Sequence, residues 1–186
     1  MQMPIRKDWS QGCADAHLVA MRRAPRADLA RLACSYDWAA HPEPVLGWVM
    51  AQRRIELATA LTVFLRGAPE RFNYMPKRDV PDSHVAAARL LDNICLRINS
   101  GYYLPGGPIL DAELPRIDNW LAAQKADRAE GSGGRWILDE AILAPVLLKS
   151  GTDAAPAEET RSAGGVRGRL ASVLAPLWPL GRSTSQ

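Results

Sequence analysis

No stretch of about 18 consecutive apolar residues occurs in the 186-residue chain, so no segment reads as a membrane-spanning helix. Cysteine is scarce and scattered. Cys13, Cys34 and Cys95 form no CxxC pair and no Cys/His cluster, which argues against a zinc site and against a disulfide framework. An odd, dispersed set suits a reducing cytoplasm, and Cys34 and Cys95 fall on apolar helical faces where a thiol acts as a small hydrophobe. A large charge of one sign is also missing. The net charge is +3, and Arg167, Arg169 and Arg182 account for it, with no acid after Val166. Over residues 1–165 the rest of the 23 Lys and Arg equal the 20 Asp and Glu. A neutral body lacks the field of cations that nucleic-acid binding requires, and no nucleic-acid partner is expected. Nor is there a phosphate loop: Gly164-Gly165-Val166-Arg167-Gly168 follows no strand and lacks the Lys-Ser/Thr ending. Asp92-Asn93 and Asp118-Asn119 lack the spacing of a calcium loop. No metal and no cofactor are expected.

What is present is helical periodicity. Residues 1–13 carry basic groups without an apolar run behind them; they read as a flexible arm and not as a signal peptide. Asp15 can cap a helix reaching Arg23, and Pro25 suits the first position of a second, with Leu29, Leu32 and Ala33 on one face. His41-Pro42-Glu43-Pro44 opens a third, with Val45, Leu46, Trp48 and Val49 inward. Residues 55–66 give the strongest pattern, with Leu57, Leu61, Phe64 and Leu65 at i, i+4, i+7 and i+8. Thr59, Thr62 and Val63 are β-branched and keep a strand open locally, but the alternation of a half-buried strand is absent. Residues 70–81 read as a polar loop. Asp82 or Ser83 caps the longest helix, through Ser100. Another starts between Asp111 and Pro115. Gly131-Ser132-Gly133-Gly134 is a flexible break, and Trp136, Ile137, Ala141, Ile142 and Leu143 predict a last helix that Pro145 disrupts. The expected architecture is all-α: a compact bundle of six or seven short helices over residues 14–149. A disordered linker follows over 150–165, then a short basic amphipathic segment over 166–182.

Tyr36-Asp37-Trp38, then Trp48, then Glu56-Leu57-Ala58-Thr59-Ala60-Leu61-Thr62-Val63-Phe64 together resemble an uncharacterised bacterial family, domain of unknown function 4274. The core of the resemblance covers residues 29–66 and extends more thinly to 147. Ala39-Ala40-His41-Pro42 stands where the family carries acids after the turn, and Gln52-Arg53-Arg54-Ile55 replaces its Asn/Cys-rich approach. The resemblance implies a small bacterial helical domain and brings no catalytic residue with it.

Six residues of this region are candidate binding residues: Tyr36, Asp37, Trp38, His41, Trp48 and Thr59. Tyr36, Asp37 and Trp38 can form a ligand-stacking corner, or a helix-ending turn in which Trp38 plugs the core and Asp37 caps the next helix. Thr59 can donate into a pocket or bond back to a preceding carbonyl. Asp37, His41 and Glu43 are residue types used in acid–base catalysis, but no third partner is evident. His17 and His84 read as lone rings. In the tail, Arg167 and Arg169 flank Leu170, Leu174 and Trp178 at helical spacing, a pattern that can lie weakly on an anionic membrane or dock on a partner. The expectation is a cytoplasmic, non-catalytic interaction or accessory module with a protein partner. A peripheral membrane protein and an enzyme with an unrecognised acid–base site are the alternatives.

Overall fold

Every residue from Leu57 to Leu65 is buried, and a helix that is apolar all round belongs at the centre of its domain. In the computed structural model, which describes residues 7–152, that helix is α4 (Leu57–Arg66). The other helices are α1 (Ala14–Arg23), α2 (Arg26–Cys34), α3 (Pro42–Met50), α5 (Asp82–Asn99), α6 (Leu114–Ala129) and α7 (Glu140–Thr152). Two 3-10 turns, Pro69–Arg71 and Lys77–Asp79, lie between α4 and α5. The described residues are all-α: their one β-type contact is an isolated bridge between Glu56 and Leu104. Helix α4 packs against α2, α5, α7 and the first 3-10 turn, while α3 lies against α1, α2 and α5. Phe64 and Leu61 are fully buried, and each such side chain contributes about 2 kcal/mol by leaving water.

A helix whose ends are buried must find partners for its end groups. The amide of Leu57 donates to the carbonyl of Leu104 at 2.9 Å and that of Ala58 to Gly106 at 3.2 Å. At the other end the Arg116 guanidinium donates to the Leu65 carbonyl at 2.6 Å. Gly67 follows, where a Cβ would come within 2.6 Å of Trp38 Cη2 and 2.8 Å of Leu91 Cδ2. The absent side chain is what lets Trp38 lie against the core.

Helix positions agree with the periodicity, with four corrections. The arm 1–13 is not free throughout: Trp9 is 3% exposed and packs on His17 and Tyr36. The loop 70–81 is not simply polar, since Phe72, Asn73 and Val80 are buried. The last helix begins at Glu140, runs through Pro145 and extends to Thr152, into the expected linker. Trp136 and Ile137 are outside it, in a non-helical strap, because distant side chains take up the strap's backbone groups. The remaining linker and the amphipathic segment with Arg167, Arg169, Leu170, Leu174 and Trp178 lie outside the described residues. No described helix is long and apolar enough to cross a membrane.

Candidate functional site

The candidates from the Tyr36 region divide between two roles. Tyr36 is buried and meets the rings of Trp9 and His17 at centroid distances of 4.9 and 5.8 Å. His17 is not a lone ring but 2% exposed, with Nε2 2.8 Å from the Gln11 carbonyl and Nδ1 3.0 Å from the Tyr36 hydroxyl. A carbonyl can only accept, so Nε2 donates and Nδ1 is left to accept from Tyr36. The Tyr36 oxygen in turn accepts from the His41 amide at 3.3 Å. Burial pushes the Tyr36 hydroxyl above its usual range. This relay is closed on itself, and it ties the segment before α1 to the turn before α3.

Of the other candidates only His41 joins it, through its amide and a ring contact with His17 at 5.6 Å. Asp37 is exposed and accepts from the Ala39 amide at 2.8 Å, a local turn, so it does not cap α3. The His41 ring faces the Gly12 carbonyl at 3.4 Å, and Glu43 is exposed in the first turn of α3. Asp37, His41 and Glu43 therefore build no acid–base pair. Trp48 is half-buried beneath Arg22, whose guanidinium lies 5.7 Å from its ring. Thr59 is buried in α4. Burial pushes the Cys34 and Cys95 thiols up to about 11, which leaves both inert at neutral pH.

An aromatic-walled cleft lies elsewhere. It has a volume of about 370 Å³, within the range of small-ligand sites, and contains none of the six candidates. Tyr74, Trp120, Ala123, Trp136 and Ile137 give it apolar walls. Phe64 stands between the two indoles, edge-on to Trp120 at 5.6 Å and to Trp136 at 6.2 Å. Tyr74 and Ile137 remain 63% and 47% exposed, so the apolar surface continues outward at the mouth. No Cys or His lines it.

The strap over residues 134–139 forms one wall, and side chains of three other elements hold it. Asn73 accepts from the Trp136 amide at 3.0 Å, and its carbonyl accepts from Arg135 at 2.6 Å. Gln124 of α6 pairs with Leu138 both ways, each bond 2.8 Å. Asn99 of α5 donates to the Ile137 carbonyl at 2.6 Å and accepts from the Asp139 amide at 2.9 Å. The Gln124 and Asn99 carboxamides act as a neighbouring strand would, supplying one donor and one acceptor each, while Asn73 supplies two acceptors. Asp92 of α5 completes the clamp. It accepts from Arg135 Nε and Nη2 at 2.9 and 2.8 Å and from the Trp136 indole at 2.8 Å. Burial alone would raise its carboxyl, but the Arg135 and Trp136 hydrogen bonds and the Arg135 and Lys77 charges outweigh burial and hold it below the ordinary carboxylate value.

The charged residues of the cleft are engaged with their own walls. Arg116 is bonded to Leu65, Glu113 and Glu70, Asp127 accepts from Tyr74 at 2.8 Å, and Arg128 lies 3.9 Å from Glu140. With two acids and two arginines lining it, the cleft is formally neutral. Chemically it can hold an uncharged apolar group; it has no nucleophile paired with a base. No family model, no curated protein and no solved structure matches this chain.

Proposed function

We propose that this protein is a non-catalytic interaction module that holds an uncharged apolar side chain of a protein partner in the cleft walled by Tyr74, Trp120 and Trp136. The observation that carries this reading is the pairing of an aromatic, formally neutral cavity with charged rim residues already engaged within the chain. A charged occupant would lose its water beside Glu70, Arg116 and Arg128, which already have ion-pair partners, whereas an aromatic or aliphatic anchor loses nothing polar. The exposed Tyr74 and Ile137 at the mouth extend the contact beyond the anchor. The three cysteines, unpaired with one another, suit a reducing compartment. The resemblance to domain of unknown function 4274 adds no catalytic residue and agrees with this reading.

Ala123 is exposed on α6 and lines the cleft, so Ala123→Arg fills the cavity without entering the core. A partner captured from the source cell by the wild-type chain is expected to be lost with Ala123→Arg and retained with Ala16→Arg, an exposed site on α1. Capture of the same protein by all three chains would contradict the proposal.

A further inference from the structure

A second cavity, about 280 Å³, lies between the Lys77–Asp79 turn and α5, with Arg135 of the strap in its lining. Its apolar surface comes from Val80, Val85 and Ala88; its charged residues are Lys77, Arg89, Asp92 and Arg135. Three cations thus face one carboxylate. That carboxylate is already fully used by Arg135 and the Trp136 indole, with Lys77 a further 3.5 Å away. Arg89 is exposed and has no ion pair among the described residues. Arg135 is the unusual member. Its side chain is 11% exposed, its Nε and Nη2 are satisfied by Asp92, and its Nη1 is buried with no hydrogen-bond partner. A buried guanidinium donor left unmet is costly, more so than a neutral one. The Arg135 guanidinium lies over the Trp136 ring at 4.9 Å, and both side chains bond Asp92, so the strap residue that lines this cavity is coupled to one that walls the aromatic cleft.

We infer that this cavity binds a small oxyanion, a phosphate or carboxylate group, between Arg89, Lys77 and the unmet Nη1 of Arg135. The excess of two positive charges supplies the attraction, and an oxygen acceptor completes the buried guanidinium. Lys77 is 75% exposed and held at 3.5 Å, so it can swing to let the anion reach Nη1. The apolar wall of Val80, Val85 and Ala88 accommodates a short carbon stem behind the charged group. This site is independent of the partner-binding proposal.

The test is a titration of the full chain with inorganic phosphate, and separately with acetate, at ionic strength held constant with sodium chloride. It is followed by nitrogen-detected resonances of the Arg135 Nε–H and the Trp136 indole. Saturable shifts of both signals are expected with at least one anion. A response to phosphate alone assigns a phosphate group, and an equal response to acetate assigns a carboxylate. Arg89→Gln, at an exposed position, is expected to weaken the apparent affinity about tenfold, as loss of one charge-assisted hydrogen bond does. Shifts that grow linearly with either anion, shifts matched by chloride, or an unchanged affinity in Arg89→Gln would each overturn the inference.

Discussion

Asp92→Ala is expected to destabilise the fold by about 3 kcal/mol, read as a lower urea midpoint at unchanged slope. The change strips Arg135 of both its carboxylate bonds and leaves the Trp136 indole donor without an acceptor. Arg135 is 11% exposed, so its charge stays largely out of water with Lys77 now an unopposed like charge nearby. Breaking a wholly buried pair costs about 3–5 kcal/mol, and the 30% exposure of Asp92 places the expected value at the lower end. The same residue gives the pH dependence its sign. Its folded carboxyl titrates below the unfolded one, so its stabilisation is complete above about pH 4 and is lost as acid protonates it in the folded state. The stability gap between wild type and Asp92→Ala therefore narrows as pH falls below about 4. A gap that stays constant from pH 7 to pH 2 would show that the carboxylate is not what the strap depends on.

Gly134→Ala is expected to cost about 2–3 kcal/mol, whereas Gly133→Ala, its neighbour, should stay within about 0.5 kcal/mol. A Cβ on Gly134 lands on the Asn73 carboxamide, the group that receives the Trp136 amide. Either the strap moves away or Asn73 turns aside and that buried amide loses its acceptor. On Gly133 the same atom meets the end of the Ile137 side chain at 3.7 Å, an ordinary contact. Because the damage from Gly134→Ala passes through Asn73, its cost added to an Asn73→Ala background should be smaller than in the wild type. Calorimetric melting of the five proteins, wild type, the three single variants and the Asn73→Ala/Gly134→Ala pair, checks this, and equal costs for the two glycine variants would remove the basis for the effect.

Much of the helical fold is written locally. Leu57, Leu61, Phe64 and Leu65 repeat at helical spacing, and α4 runs where they place it. Pro25 and Pro42 mark the starts of α2 and α3 because a proline's fixed φ and missing amide suit a first turn. The strap is where local reading failed. Trp136, Ile137, Ala141 and Ile142 have the spacing of one helix, yet Trp136 to Leu138 are not helical. Their backbone partners are Asn73, Asn99 and Gln124, distant in sequence, and the gain from those bonds exceeds that of one more helical turn. The cleft was missed for the same reason. Trp120 and Trp136 read as core residues, and their shared wall exists only once the strap is pinned. Two buried carboxamides, Asn73 and Gln124, amid apolar neighbours were the available signal. The Tyr36 corner was legible as a junction, but His17 and Trp9, which complete it, lie in or just after the arm expected to be loose.

Amide hydrogen exchange at Trp136 and Leu138 tests most directly whether side chains pin this strap to build the cleft. Neither amide is in a helix, and each donates to a buried carboxamide, Asn73 or Gln124. Both are expected to exchange only through the cooperative opening that releases α4, orders of magnitude more slowly than Gly133 and Gly134 beside them, whose amides donate no hydrogen bond among the described residues. Exchange of Trp136 and Leu138 at the rate of those neighbours, while the α4 amides remain protected, would mean the strap is not held and the cleft has no fixed wall.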